Sequence, residues 1–248
     1  MTKSAKATLK GVEEKWLEKW DELHAIEPSR TAPAAPFFSI GRYHKENKLK
    51  PVILLVGKAT HGCWKMDYFA KWSEAALAAR IEERRDATIY FLKDNSATKS
   101  SAFWRFYRML LNDTGADVIW TNVAKIGVYR VSERNSGETC NPQGRHLQLQ
   151  ADLARYTLLA EISAYKPDLI YLATGTYALS KIVNPLFCPD GDWNRWPSAD
   201  HTLWYMKDTA TRCPVLRTGH PSSKTPLELA AWIKVVKQSL AGHSLLHG

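Results

Sequence analysis

Four runs of apolar residues limit what this chain can fold into. They are VILLV at 52–56, DVIWT at 117–121, DLIYLAT at 168–174 and PVLRT at 214–218. Strands with one face in water alternate apolar and polar residues, whereas these runs are almost continuously apolar. They therefore predict interior strands of a mostly parallel sheet that is covered on both faces.

Segments with helical periodicity alternate with these runs. The sequence predicts helices at 6–25, 66–85, 101–112, 147–165, 175–183 and 225–240, and further strands at 87–92 and 202–206. Alternating strands and helices are typical of α/β proteins. We therefore expect one α/β domain over residues 1–248, with an N-terminal helix and loop at 1–50 packed onto it.

Three segments are rich in proline, glycine and other turn-forming residues. They lie at 27–38, 127–146 and 184–200. Such composition disfavours regular elements, so all three are predicted to be loops.

Composition narrows the class of protein. The 248 residues include 34 Lys and Arg against 25 Asp and Glu, a formal net charge of +9, and ten tryptophans. A basic surface favours polyanions and exposed rings can stack on bases, although most tryptophans are core residues. No apolar run reaches the roughly 20 residues that span a bilayer, and the N-terminus lacks a secretory signal. We expect a cytoplasmic protein with no membrane partner.

The cysteines argue against a bound metal. Cys63, Cys140, Cys188 and Cys213 are widely spaced and form no CxxC pair. Zinc ribbons and iron–sulfur clusters need more closely spaced ligands. We expect free thiols, no metal and no cofactor.

Each of the four apolar runs ends in a small or polar cluster: GKATHG, NVAKIG, TGTYA and GHPSSK. Ligands of open α/β sheets bind beyond the carboxyl ends of the strands. Strand ends are polar in any case, but four coincident junctions favour a binding site. The side chains expected to crowd this edge are Lys58, Thr60, His61, Asn122, Lys125, Thr174, His220 and Ser222.

In their order these motifs resemble the uracil-DNA glycosylase superfamily. The resemblance covers roughly residues 50–240 and includes FWRFYRMLL at 103–111 and EISAYKPDLIYLATGTYA at 161–178. It implies a three-layer α/β/α fold with a central, mostly parallel four-stranded sheet. It also implies a monomeric, monofunctional DNA glycosylase that hydrolyses the N-glycosidic bond of a base flipped out of double- or single-stranded DNA.

The resemblance assigns a role to each matching position. Asn122 would contact the edge of the base, and His220 would face its carbonyl or the charge that develops as the bond breaks. Lys125 would contact phosphate or shape its loop. The base pocket would be lined by Gly57, Lys58, Ala59 and Thr60, and the DNA phosphates held by Ser222, Ser223 and Lys224, with Pro221 stiffening the loop.

The first motif departs from the family because GKATHG contains no carboxylate, and none follows until Asp67. His61 could polarise the water, Asp94 could enter the pocket, or stabilisation of the leaving group could suffice; we favour His61 or the leaving group. Lys58 also permits a Schiff-base lyase route, although a lysine beside a phosphate-binding loop is more often a charge contact.

The same departure bears on the substrate. It favours a modified or damaged base over plain uracil, and some superfamily members attack hypermodified bases of phage DNA as an antiviral defence. The segments 127–146 and 184–200, with Trp193, Arg195 and Trp196, are surface loops or elements that probe DNA. The alternatives are a uracil-DNA glycosylase of base-excision repair, a nucleic-acid-binding module without catalysis, and an enzyme for nucleotides.

Overall fold

A computed structural model describes most of the predicted core. The described residues are 3–26, 31–33, 39–41, 50–58, 102–132, 135–175, 179–189, 193–195, 203–206 and 213–247, with positions 73, 75, 76, 79 and 82. The strand predicted at 87–92 and most of the helix predicted at 66–85 lie outside these residues.

Among the described residues, seven strands form one sheet. They are β2 Ile40–Gly41, β3 Val52–Gly57, β4 Asp117–Asn122, β7 Leu169–Leu172, β8 Asn194–Arg195, β9 Leu203–Met206 and β10 Val215–Thr218. Their order in the sheet is β2-β4-β3-β7-β10-β9-β8. The four strands β4, β3, β7 and β10 are mutually parallel and occupy the centre, whereas β2, β9 and β8 join antiparallel at the two sides. All four predicted apolar runs are therefore central parallel strands.

Five described helices cover the two faces of this sheet. They are α1 Lys3–His24, α2 Ala102–Thr114, α3 Gly144–Tyr165, α4 Ser180–Phe187 and α5 Pro226–His247. Leu54 and Val56 of β3 pack in a core with α1, α3 and α4, while Ile53 and Leu55 pack in a second core with α2 and α5. This arrangement confirms the predicted three-layer α/β/α fold with a central parallel four-stranded sheet.

The N-terminal helix is an integral part of one layer. α1 lies along α3 and buries Val12, Trp16 and Trp20 against it. Trp16 is completely buried, and its indole N–H donates to the Thr157 hydroxyl at 2.8 Å. These tryptophans are core residues, so the high tryptophan content is partly explained by packing.

Two predictions of local structure were wrong. The segment 127–146 contains a β-hairpin, β5 (Val128–Ser132) and β6 (Asn135–Cys140), and β5 also pairs with β1 (Thr31–Pro33) from the segment 27–38. The helix predicted at 175–183 instead spans Ser180–Phe187, so it extends into the loop predicted from 184. Gly175 has φ +68°, a left-handed conformation that an α-helix cannot include.

No helix among the described residues is long and apolar enough to cross a membrane.

Replacement of Trp16 by alanine should destabilise the whole fold. A completely buried indole is lost together with its hydrogen bond to Thr157, so we expect the free energy of unfolding to fall by about 3–5 kcal/mol. Urea denaturation would measure this change, with Glu18→Ala on the exposed side of α1 as the matched control. A loss below about 1 kcal/mol would mean that α1 is not part of the cooperative unit.

Candidate functional site

The carboxyl ends of the four central strands lie at one edge of the sheet, as their parallel pairing requires. Gly57 at the end of β3 is in register with Asn122 at the end of β4. Beyond the strands, the N–H of Val123 donates to the Gly57 carbonyl at 2.9 Å, and the N–H of Gly175 donates to the Thr218 carbonyl at 3.0 Å. We call this region the carboxyl edge. It brings together Gly57, Lys58, Asn122, Thr174 and His220, whereas Ala59, Thr60 and His61 lie outside the described residues.

The Asn122 carboxamide at this edge has a hydrogen-bond partner for its oxygen but none among the described residues for its nitrogen. Its side chain is 1% exposed, and its Oδ1 accepts a hydrogen bond from the Trp120 indole N–H at 3.3 Å. Its Nδ2 is buried and has no hydrogen-bond partner among the described residues. A buried donor without a partner costs about 1–3 kcal/mol. Such a group is expected where a ligand supplies the missing acceptor.

The conformation of Asn122 depends on the glycine beside it. A Cβ atom at position 57 would lie 2.4 Å from Asn122 Oδ1, closer than any real contact of that kind. The carboxamide therefore covers the backbone of β3 at its last residue, and only glycine leaves room for it. This gives a physical reason for the glycine that opens the GKATHG motif.

Aromatic rings connect Asn122 to His220. Phe103 of α2 stacks on the His220 ring with centroids 5.7 Å apart and planes at 13°. The same phenyl ring lies 5.5 Å from the ring of Trp120, which in turn holds Asn122. Trp104 also packs edge-on against Trp120 at 4.8 Å. His220 and Asn122 therefore lie on the same side of the molecule, although they are 98 residues apart in the chain.

The His220 ring is oriented by the turn that follows it. Its Nδ1 accepts from the backbone N–H of Ser222 at 3.2 Å and lies 2.9 Å from the Ser222 hydroxyl. Because an accepting Nδ1 carries no proton, the neutral ring carries its proton on Nε2. Pro221 is buried and begins a single 3₁₀ turn, Pro221–Ser223, and Ser222 is exposed. His220 can thus act as a hydrogen-bond donor through Nε2.

Lys125 lies on the opposite side of the sheet from this aromatic cluster. It is completely buried, and its ammonium binds both carboxylate oxygens of Glu161 at 2.8 and 2.9 Å and contacts the Thr121 hydroxyl. Burial lowers the pKa of Lys125, and the Glu161 carboxylate opposes that shift. Of the two roles considered for Lys125, shaping the loop fits this geometry, because a buried and paired ammonium cannot reach a phosphate.

A second contact fixes the same loop. The Gln150 carboxamide accepts from the Ile126 N–H at 3.2 Å and donates to the Ile126 carbonyl at 3.0 Å. Together with the Lys125–Glu161 pair, it holds the residues directly after Asn122 against α3. Neither Gln150 nor Glu161 is identifiable as a site residue from sequence, since each is a single polar residue within a helix.

Lys224 is also engaged within the protein. Its ammonium binds Glu228 at 2.8 Å, and the Glu228 carboxylate accepts from the Thr225 N–H at 2.8 Å. The Thr225 hydroxyl accepts from the Glu228 N–H, which completes a capping box at the start of α5. A DNA phosphate at Lys224 would have to compete with Glu228.

Lys58 and Arg217 each contact Gly175, three residues beyond the end of β7. The Lys58 side chain is half-buried and passes over the Gly175 α carbon, while Arg217 donates to the Gly175 carbonyl from Nε at 3.1 Å and Nη2 at 2.8 Å. Arg217 also binds Ser180 and Asn184 of α4. The Trp193 ring covers the guanidinium at 5.2 Å, so this tryptophan packs against Arg217.

Comparison with known proteins assigns no family. No protein-family model matches the chain, and no curated protein matches it. The functional conclusion therefore depends on the geometry of the carboxyl edge.

The capping box predicts a specific response to acid. Hydrogen bonds from Lys224 and Thr225 lower the pKa of Glu228 from 4.5 to about 2. A carboxylate with a lowered folded-state pKa contributes stability above its unfolded pKa and loses it as the pH falls through the folded value. We expect Glu228→Gln to reduce the stability at pH 6 and to reduce its dependence on pH between 4.5 and 2.

Thermal unfolding measured from pH 6 to pH 2 tests this expectation, with Glu14→Gln on the exposed face of α1 as control. If Glu228→Gln and the wild-type protein lost stability in parallel between pH 4.5 and 2, the ionised Glu228 carboxylate would contribute no stability through its contacts with Lys224 and Thr225.

Proposed function

We propose that the protein is a DNA glycosylase that hydrolyses the N-glycosidic bond of a flipped-out base. The observation that carries this proposal is the buried Asn122 carboxamide at the carboxyl edge, whose Nδ2 has no hydrogen-bond partner among the described residues. The Trp120 indole holds Oδ1 and so directs Nδ2. A fixed amide donor can bind an acceptor on the hydrogen-bonding edge of a nucleobase, as asparagine does in nucleic-acid recognition.

His220 would stabilise the leaving group. Breaking the glycosidic bond leaves negative charge on the base, and a donor already fixed in position lowers the energy of that state. Contacts with Ser222 make Nδ1 an acceptor, so the neutral ring donates from Nε2. Stacking on Phe103 holds the plane of the ring.

The aromatic residues beside Asn122 suit a base that has left the duplex. A base inside a helix is out of reach of a protein side chain, and extruding it costs a few kcal/mol. Stacking on an aromatic ring returns about 1–3 kcal/mol per base. Phe103, Trp104 and Trp120 pack together at the carboxyl edge, and in this proposal the extruded base stacks beside them.

DNA as the partner is supported by charge and by the turn after His220. The net charge of +9 favours a polyanion through release of counterions. The exposed Ser222 and the backbone of the 3₁₀ turn offer neutral donors of the kind that position phosphates. In this proposal Ser222 and Ser223 contact the DNA backbone, and the buried Pro221 stiffens their turn.

As the substrate we rank a modified or damaged base, such as a hypermodified cytosine of phage DNA, above plain uracil. The GKATHG motif offers no carboxylate to activate water. Two carboxylates described near the edge are already engaged, Glu161 with Lys125 and Glu228 with Lys224. In this proposal either His61, which lies outside the described residues, polarises the water, or stabilisation of the leaving group suffices. The engaged carboxylates also favour a second candidate, a nucleic-acid-binding module without catalysis.

A screen of oligonucleotides tests the proposal. Duplex and single-stranded DNA would carry uracil, hypoxanthine, oxidised bases or glucosylated 5-hydroxymethylcytosine, and alkali cleavage would report abasic sites. Loss of one fixed donor costs about 3–4 kcal/mol in the transition state, so Asn122→Ala and His220→Ala should each slow release of the accepted base roughly 10²–10³-fold.

The control is Asn112→Ala, an exposed asparagine of α2. It should leave the rate unchanged. Asn122→Ala should remain folded, because it loses the 3.3 Å hydrogen bond from Trp120 but also removes the cost of a buried Nδ2 with no described partner. Release from none of the substrates would contradict the proposal. Salt-dependent DNA binding unaffected by His220→Ala would then favour the binding module, and tight mononucleotide binding without DNA affinity would favour a nucleotide enzyme.

A further inference from the structure

The Lys58 ammonium lies at the carboxyl edge beside Gly175. Its Cε and Nζ are 3.4 and 3.6 Å from the position that a Cβ of Gly175 would occupy. No carboxylate among the described residues pairs with it, in contrast to Lys125 and Lys224. Burial lowers the pKa of Lys58, so more of this amine is neutral near pH 7 than of an exposed lysine.

The carbonyl of Gly175, the residue beside Lys58, is already bound by another cation. The Gly175 oxygen has two lone pairs and accepts two hydrogen bonds from Arg217. The other acceptors of Arg217 are the neutral Ser180 hydroxyl and Asn184 carboxamide. Partial burial by itself lowers the pKa of Lys58, and a partly desolvated lysine is an arrangement that favours a nucleophilic amine.

The backbone of Lys58 adjoins the proposed base site. Lys58 directly follows Gly57, whose partner in register is Asn122. The Lys58 carbonyl accepts from the Ala124 N–H at 2.9 Å, which ties the residue to the loop after β4. The lysine and the asparagine carboxamide therefore belong to adjacent strand ends of one rigid edge.

We propose that Lys58 forms an imine with the aldehyde of an abasic deoxyribose and so adds a strand-cleaving lyase activity. This inference rests on the proposed function, because that reaction leaves the abasic sugar at this edge. It departs from the monofunctional hydrolase that the sequence resemblance implies. The reason is the environment of Lys58, which is half-buried and unpaired by any described carboxylate.

The chemistry needs no oxidant or reductant. The neutral amine attacks C1′ of the ring-opened sugar, and the carbinolamine loses water to give a protonated imine. Loss of a C2′ proton to water then expels the 3′ phosphate by breaking the C3′–O bond. This leaves an unsaturated imine at the 3′ end of the upstream fragment and a 5′ phosphate on the downstream fragment. Water hydrolyses the imine, which releases the unsaturated aldehyde and regenerates Lys58.

Borohydride trapping on DNA with a preformed abasic site tests this step. Sodium borohydride reduces the imine to a stable amine, so we expect a covalent protein–DNA adduct and, without borohydride, the two elimination products. Mass spectrometry of the digested wild-type adduct should place the modification on Lys58. Lys58→Met should reduce adduct formation at least tenfold, and Lys234→Met, an exposed lysine of α5, should leave it unchanged.

The preformed abasic site separates this inference from the proposed function, since no base has to be released. No adduct, an adduct on another residue, or an unchanged yield with Lys58→Met would overturn the lyase inference alone, whatever the base screen gave.

If the wild-type protein formed no adduct, and Lys58→Met weakened the binding of intact and of abasic DNA equally, Lys58 would be a phosphate contact. An adduct at Lys58 together with a negative base screen would leave the imine chemistry standing and count against the glycosylase. Peptide mapping on the wild-type protein keeps the result decisive if the variant does not fold.

Discussion

The parallel pairing of β3 with β4 sets the positions on which the site depends. Six consecutive residues of each strand are in register, from Val52 opposite Asp117 to Gly57 opposite Asn122. Because side chains alternate between faces, a shift of one residue would turn every apolar side chain of β3 to the wrong core. Burial on both faces therefore fixes the register, and the register places Asn122 beside the one residue that leaves room for its carboxamide.

The side chains on the two faces of β4 make different kinds of contact. Trp120 and Asn122 face α2, where the tryptophan holds the carboxamide and packs against Phe103. Thr121 faces α3, where it joins the buried pair of Lys125 and Glu161. Leaving one partner of a buried ion pair unpaired is costly, so that side stabilises one arrangement of the loop. Buried contacts on the α3 face of β4 thus fix the position of Asn122 on the α2 face, where a ligand can bind.

Sequence was sufficient for the central sheet and for the position of the edge, because continuous apolar runs have few alternatives to a doubly covered strand. It was insufficient where the outcome depends on the face of the sheet or on a single backbone angle. Nothing in the spacing of Lys125 reveals that it points toward Glu161. Gly175 has a left-handed conformation, and α4 begins beyond it, later than predicted. The segment predicted as a loop from 127 contains the strand β5, which pairs with β1 and β6. The Lys224–Glu228 pair was accessible in principle, since Thr225 and Glu228 have the spacing of a capping box.

The close approach of Gly57 and Asn122 has a consequence for how such proteins can diverge. A side chain at position 57 would collide with Oδ1 at 2.4 Å unless the asparagine were exchanged as well. Each residue alone is a weak motif, but the two are sterically coupled across adjacent strands. Related chains should therefore carry a side chain at position 57 only where residue 122 has also changed, and this one-sided covariation would help to identify distant relatives.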